Sequence, residues 1–345
     1  MTTREPTLPV LGITMGDPAG IGPEIIAKAA VAGGVLGQVR IVVIGDPATL
    51  RRAVETVGAS LDVVAVSHPT GGSKGSVLEV ISATDGLGLP IPFGKVDARG
   101  GDAAYRCLER AVKMALAGEI DAIVTAPLNK EALNLAGYRY AGHTEILKDL
   151  TGAADVAMLL WSERLKIIHV TGHMSLRRAL DRITTERTIR TARLGADALT
   201  QLGFARPRIA IAGVNPHAGE NRLFGDEDAD LIAPAVEALK AAGLDASGPH
   251  PPDTVFTRAY RGGFDLVVAM YHDQGHIPMK LVAFDSAVNV TVGLPIVRTS
   301  PDHGTAFDIA GTGRANPESM IESIRIAATL AAERSARAAT AAADA

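Results

Sequence analysis

The sequence predicts a layered α/β protein built on a mostly parallel sheet. Three observations predict it: apolar runs of strand length, amphipathic stretches that alternate with them, and glycine- or proline-bearing turns between the two. The runs are near-continuous in apolar character rather than alternating, as expected of strands covered on both faces. At 345 residues the chain has material for two domains or one large α/β domain.

In chain order the strand candidates are VLGIT (10–14), IVVIG (41–45), LDVVAV (61–66), DAIVTA (121–126), DVAMLL (155–160), LKIIHV (165–170), RIAIAG (208–213), DLVVAM (265–270) and VNVTV (288–292). The first helix opens at Pro23, where proline suits the first turn and Glu24 favours the positive end of the helix dipole. Further helices are expected near 47–57, 101–117, 143–151, 184–202, 226–242 and 317–336. Their alternation with strands puts helical layers over a sheet. Residues 69–94, rich in glycine and proline, read as irregular chain with room for one strand. The tail AAERSARAATAAADA is alanine-rich, helix-competent at first and frayed at its end. There is neither an internal repeat nor a long linker.

A hydrophobic content of 47% with 21% charged residues is ordinary for a soluble enzyme. The net charge of −4 gives no global attraction to nucleic acid or an anionic membrane, so an anionic substrate needs local positive charge. Cys107 is the single cysteine, which excludes an intrachain disulfide framework and fits a reducing compartment. The opening MTTREPTLPV has no apolar signal core, and no apolar run approaches the ~18 residues of a membrane span. The expectation is a soluble, cytoplasmic protein with neither nucleic acid nor membrane as partner.

Three histidines stand just past the carboxyl ends of expected strands: His173 after LKIIHV, His217 after RIAIAG and His272 after DLVVAM. Open α/β sheets bind ligands at that rim. Brought together as neighbours or across a subunit contact, the three could hold a divalent metal with an open position. A loop histidine is by itself an ordinary solvated residue, and the threefold repetition of the context is what favours the metal. His272 and His276 are four apart and would share a face of a helix. Gly275 between them and Pro278 after them argue against a helix there, so at most one belongs to the rim.

A dinucleotide fingerprint G-x-G-x-x-G is absent: in GDPAGIGPEI (16–25), Ile25 takes the place of the third glycine. This turn at a helix N-terminus can receive an anion or simply reverse the chain, and both readings stay open. No Walker A motif occurs. Lys130, Lys280 and Arg298 are read as cations in polar loops a few residues beyond apolar strands, fit for an anion pocket.

TMGDPAGIGPE, TAPLNK, GHTE, NPHAGE, MYHDQG, VNVTVGLP and RTSPDHGTAFDIAG occur in order between about residues 10 and 330. Together they closely resemble the 4-hydroxythreonine-4-phosphate dehydrogenase family of vitamin B6 synthesis and its 4-phospho-D-threonate and 4-phospho-D-erythronate dehydrogenase paralogues. DHGTAFDIAG also resembles the cofactor loop of isocitrate and isopropylmalate dehydrogenases, which bind NAD without the Rossmann fingerprint. The resemblance implies their two-domain α/β fold, with mostly parallel sheet layers and an active-site cleft between domains. It divides the chain into 1–130 plus 275–345, associated with cofactor and dimer, and 131–274, carrying metal ligands.

The resemblance further implies a homodimer whose active site is shared across the interface. One divalent metal (Zn, Mg, Mn or Co) is expected on His173 and His217 of one subunit and His272 of the other. His143, Thr144, Lys280, Asn289 and Arg298 are expected to contact the phosphorylated substrate. NAD, or NADP in its place, is expected at His303, Gly304, Thr305, Ala306 and Asp308. Lys280, Asp273 and Asp253 are the acid–base candidates.

The implied reaction is oxidation of the hydroxyl beta to the carboxylate of a 4-phosphorylated four-carbon acid, followed by decarboxylation. His276 stands where the vitamin B6 branch commonly carries an apolar residue. GHIPMKLVAFDSAVNVTVGLP and HVTGHMSL look more like the paralogues that act on phosphorylated threonate or erythronate, so His276 is a candidate for recognising the group at C2. The B6 enzyme proper and a cis-dihydrodiol carboxylate dehydrogenase are the alternatives within the family. A metallohydrolase would leave DHGTAFDIAG without a role, and a metal-stabilised binding protein would show no turnover.

Overall fold

The computed structural model describes residues 8–32, 39–70, 76–84 and 90–343. The chain forms two compact units, Met1–Asp155 with Leu294–Ala345, and Val156–Gly293. The divisions fall at 155 and 294 rather than near 130 and 275, so segment 275–293 belongs to the second unit.

The first unit holds strands β1 (Val10–Thr14), β2 (Arg40–Gly45), β3 (Asp62–Val66), β4 (Val77–Ser82), β5 (Ala122–Thr125) and β12 (Val297–Pro301). Their order is β3-β4-β2-β1-β5-β12, every neighbouring pair parallel. β1, β5 and β12 are buried throughout, which explains their lack of polar alternation. The helices of this unit are α1 (Gly22–Val31), α2 (Pro47–Val57), α3 (Ala98–Leu116), α4 (Lys130–Leu135), α5 (His143–Thr151) and α11 (Glu318–Ala343). Local chemistry fixes α2: Asp46 caps its start by accepting from Thr49 N at 2.7 Å, Pro47 follows, and Gly58 ends it at φ 62°.

The second unit holds β6 (Ala157–Trp161), β7 (Lys166–His169), β8 (Ile209–Ala212), β9 (Ala246–His250), β10 (Leu266–Ala269) and β11 (Val288–Val292). Its order is β11-β6-β7-β10-β8-β9. β6 runs antiparallel to β11 and β7, and the other pairs are parallel. Its helices are α6 (Leu176–Leu180), α7 (Thr185–Gln201), α8 (Ala233–Ala241), α9 (Pro252–Tyr260) and α10 (His272–Ala283). Leu160, Ile167, Val255, Val267 and Met279 pack in its core, each contributing about 1.5–3 kcal/mol by leaving water.

Several expectations from sequence are corrected. Residues 272–283 form a helix despite Gly275 and Pro278. Buried Gln274 anchors it: Oε1 accepts from Met270 N at 2.6 Å and Nε2 donates to Gly213 O at 2.8 Å, tying α10 to the ends of β10 and β8. Lys280 therefore lies on a helix, Lys130 opens α4, and Arg298 sits inside β12; none is a loop cation. The helix expected over 226–242 is a π turn, Asp228–Ile232, running into α8. The irregular stretch 69–94 does carry one strand, β4, while 71–75 and 85–89 lie outside the described residues. The last helix continues to Ala343, and residues 344–345 of the expected frayed end lie outside the described residues. Among the described residues no helix is long and apolar enough to cross a membrane.

Candidate active site

In the first unit a cationic group forms at the ends of β5 and β12. Arg298 is buried, and its Nη2 donates to Thr125 Oγ1 at 2.6 Å. Burial pulls its guanidinium down to about 9, which leaves it charged at neutral pH. His143, half-buried, is the first residue of α5. Desolvation, then the charges of Arg298 and Lys130, hold its imidazole well below the ordinary value, so it is neutral at pH 7. Gly142 precedes it and offers no side-chain cap to the first N–H groups of α5, with Thr144 next in line. A Cβ on Gly142 would stand 3.7 Å from Lys130 Cε. Fixed positive charge beside uncapped helix N–H groups suits a phosphate or carboxylate. Sequence reasoning noted the charge of Lys130 but left it out of the substrate set; the signal was Asn129, which caps α4 by accepting from Ala132 N at 2.9 Å.

The segment after β12 is irregular chain. Gly304 and Asp308 are exposed, and Ala306 is held at φ 41°. Ile21 N donates to Thr305 O at 3.0 Å, and a Cβ on Gly20 would lie 2.9 Å from that oxygen. In GDPAGIGPEI, Gly20 lets the turn before α1 approach the 305 backbone. His303 Nδ1 lies 3.0 Å from Gly304 O.

In the second unit β7, β10 and β8 are adjacent and parallel, so the chain past each strand emerges on one edge. His173 follows β7 and His217 follows β8, both exposed, while His272 opens α10 beyond β10. The rings of His173 and His272 lie 4.9 Å apart by centroid. His272 Nδ1 meets Asp273 Oδ1 at 2.7 Å, a contact that orients the ring. That bond holds Asp273 below the usual carboxylate range. His276 stacks on His272 at 3.6 Å and 10°, with its Nδ1 3.1 Å from His272 O. Parallel stacked rings do not converge on one point, so the shared helical face makes a stack rather than a chelate.

His169, which sequence reasoning passed over, lies buried 4.8 Å from the His276 ring. Burial, then His276, pushes it down to about 3, and its Nε2 has no hydrogen-bond partner. A Cβ at Gly275 would fall 2.4 Å from that nitrogen, which accounts for the glycine inside α10.

His217 stands apart on a strained loop, where it and Ala218, Glu220, Asn221 and Arg222 all have left-handed φ. Asp228 anchors the loop by accepting from Val214 N at 2.7 Å and Asn215 N at 3.0 Å. Such backbone costs about 1–3 kcal/mol per residue and concentrates at functional sites. Asn289 on β11 has a buried Oδ1 without a partner, while Lys280 is half-buried on α10 and Asp253 exposed in the first turn of α9.

Imidazoles, one oriented by a carboxylate, are the donor chemistry a divalent metal takes. Among the described residues no three metal-binding side chains converge within one chain. The donors fit a divalent metal in kind.

Comparison with known proteins agrees with the fold. A D-threonate 4-phosphate dehydrogenase of Salmonella typhimurium is 51% identical over 323 residues, 93% of this chain and 98% of that protein. A 4-hydroxythreonine-4-phosphate dehydrogenase of Geobacter metallireducens is 46% identical, over 94% of this chain and 96% of its own. The crystal structure of a 4-hydroxythreonine-4-phosphate dehydrogenase from Klebsiella pneumoniae superposes with a TM-score of 0.84 at 50% identity, covering 94% of this chain and 99% of that one. The chain is a dehydrogenase of the mostly parallel α/β class. It belongs to the family of the pyridoxal phosphate biosynthetic protein PdxA, whose pattern matches residues 37–327.

Proposed function

We propose that this chain oxidises 4-phospho-D-threonate or 4-phospho-D-erythronate at the hydroxyl beta to the carboxylate, with NAD and a divalent metal, and then releases carbon dioxide. The observation that carries the reading is the grouping of Arg298, Lys130 and neutral His143 at the uncapped start of α5. Its chemistry suits a phosphate: two cationic side chains and helix N–H groups without a side-chain cap, beside a neutral imidazole. Thr144 adds a hydroxyl donor at the start of α5, and Asn289 of the second unit is read separately as a contact to a substrate hydroxyl.

A bound metal would supply Lewis acidity to the hydroxyl and carbonyl oxygen, and bound NAD would supply the hydride acceptor. His173 and His217 of one copy and His272 of a second would hold that metal. Ile277 and Leu281 on the helix that begins at His272 and Phe284 just past its end, 59%, 80% and 70% exposed, support a second copy covering this face. Asp273, tied to His272 and held low, serves orientation better than proton transfer. Lys280 Nζ is then the proton carrier, with Asp253 the alternative. His303, Gly304, Thr305, Ala306 and Asp308 receive NAD or NADP. The names of the half-identical relatives support the threonate branch, and the stacking of His276 on His272 supports a role beside the reacting hydroxyl.

The test follows NADH formation with 4-phosphothreonate, 4-phosphoerythronate and 4-hydroxythreonine-4-phosphate, with and without chelator. Fastest turnover of a phosphorylated sugar acid, lost on chelation, is the expected result. No reduction of NAD or NADP with any of the three overturns the reading, and turnover that ignores chelator removes the metal from it.

A further inference from the structure

Two charged residues of α1 belong to none of these groups. Glu24 is only 1% exposed, yet its carboxylate is spent on one loop: Oε1 accepts from Gly311 N, and Oε2 from Gly313 N at 2.9 Å. One turn on, Lys28 Nζ donates to Gly313 O at 2.6 Å and Ala315 O at 2.7 Å. A spacing of four residues puts both side chains on one face of α1.

The loop they grip is the one that follows β12. Gly311 and Gly313 have φ of 78° and 68°, and a Cβ on Gly311 would strike the Phe93 ring at 2.2 Å. The Arg52 guanidinium lies over that ring, 4.1 Å from its centroid. At the near end, Ile21 N holds Thr305 O, and a Cβ on Gly94 would fall 2.5 Å from Phe307 O. Exposed Gly304 and Asp308 therefore stand on a span fixed from beneath at both ends.

We propose that Glu24 and Lys28 are positioning residues that clamp the 303–313 loop in the shape that receives the nicotinamide nucleotide. The proposal rests on the reading of His303–Asp308 as the cofactor loop. Irregular chain has no ladder to stiffen it, and a loose loop must lose its freedom when the cofactor binds, at the expense of affinity. A carboxylate between two backbone N–H groups, with an ammonium on the carbonyls of the same turn, removes that freedom in advance.

The experiment measures NAD dissociation constants, both KM values and kcat for the wild type, Glu24→Gln, Lys28→Met and Lys28→Arg. Hydrogen exchange of the 303–313 amides is recorded with and without NAD. Glu24→Gln should weaken NAD binding on the order of tenfold while leaving KM for the phosphorylated acid within about twofold. Lys28→Met should do the same about threefold, and Lys28→Arg should restore most of it. Faster exchange across 303–313 in the weakened variants completes the expected result. Should Glu24→Gln fail to fold, Lys28→Met alone decides. Absence of NAD-dependent protection of this loop in the wild type overturns the cofactor reading and the clamp together. Protection in the wild type with unchanged NAD affinity in the variants overturns the clamp alone, as does a fall in Tm that leaves both KM values in place.

Discussion

The two units both carry candidate functional groups on or beside parallel strands, and treat them oppositely. In the first, Arg298 is buried and bonded to Thr125, and Glu24 is buried against two backbone amides. In the second, His173 and His217 are exposed, His272 leans on His276, and an apolar stripe on α10 faces outward. In the first unit, charge is buried against partners from the same chain. In the second, His173 and His217 stay at the surface, His217 on a backbone held in left-handed conformations.

The contrast is broken most directly by the histidines. His217→Ala should abolish turnover and metal retention while barely moving Tm, since an exposed side chain contributes little to folding. Mixing inactive His217→Ala with inactive His272→Ala after subunit exchange should restore about a quarter of wild-type activity, because half of the dimers are hybrids with one intact site in two. No recovery would place all ligands in one chain and erase the contrast. Next in size, Arg298→Ala should lower kcat/KM on the order of a hundredfold, chiefly through KM for the phosphorylated acid. Arg298→Lys should not rescue it, because an ammonium cannot reproduce the guanidinium fork. Full activity in the lysine variant would show that only charge matters there.

Asp17 sharpens the comparison through stability. It is buried with Oδ1 accepting from Ala19 N at 2.9 Å, and burial, then Asp97, raises its carboxyl from 3.8 to about 6. Below about pH 4 both folded and unfolded chains hold the proton; between pH 4 and 6 the unfolded chain releases it first. Its contribution to stability therefore falls as pH rises through that window and stays low above it. Asp17→Asn should gain up to about 3 kcal/mol relative to wild type between pH 4 and pH 7, read from denaturant midpoints. A constant difference across that range would show that the carboxyl titrates normally. The smallest effect is expected at His276: His276→Leu should change the relative rates on the three phosphorylated acids about tenfold or less, with metal binding retained. Unchanged relative rates would remove it from substrate selection.

Much of this was legible in the sequence wherever local chemistry agrees with the fold. Asp46, Pro47 and Gly58 announce α2, and β1 and β11 coincide with their apolar runs. That the three histidines each follow a strand on one edge of the sheet was readable because their runs proved to be adjacent parallel strands. What stayed hidden depends on distant partners. Gly275 and Pro278 read as helix breakers, but Gln274 and the space needed by His169 override them. β12 escaped notice because its arginine, threonine and serine are buried against β5 rather than displayed in an apolar run. Glu24 looked like a dipole partner, and only contact with residues nearly the whole chain away gives it a task.

The first unit also has a history written into its order of synthesis. β5 ends at residue 125, but its neighbour β12 begins only at residue 297, after the whole second unit has been made. Until then the growing chain carries an apolar strand with an open edge, the kind of surface on which nascent chains pair with the wrong partner. Closure of that edge and arrival of the loop held by Glu24 and Lys28 fall within the last fifty or so residues. Truncated or stalled chains of this protein are for that reason candidates for chaperone capture, however stable the finished fold.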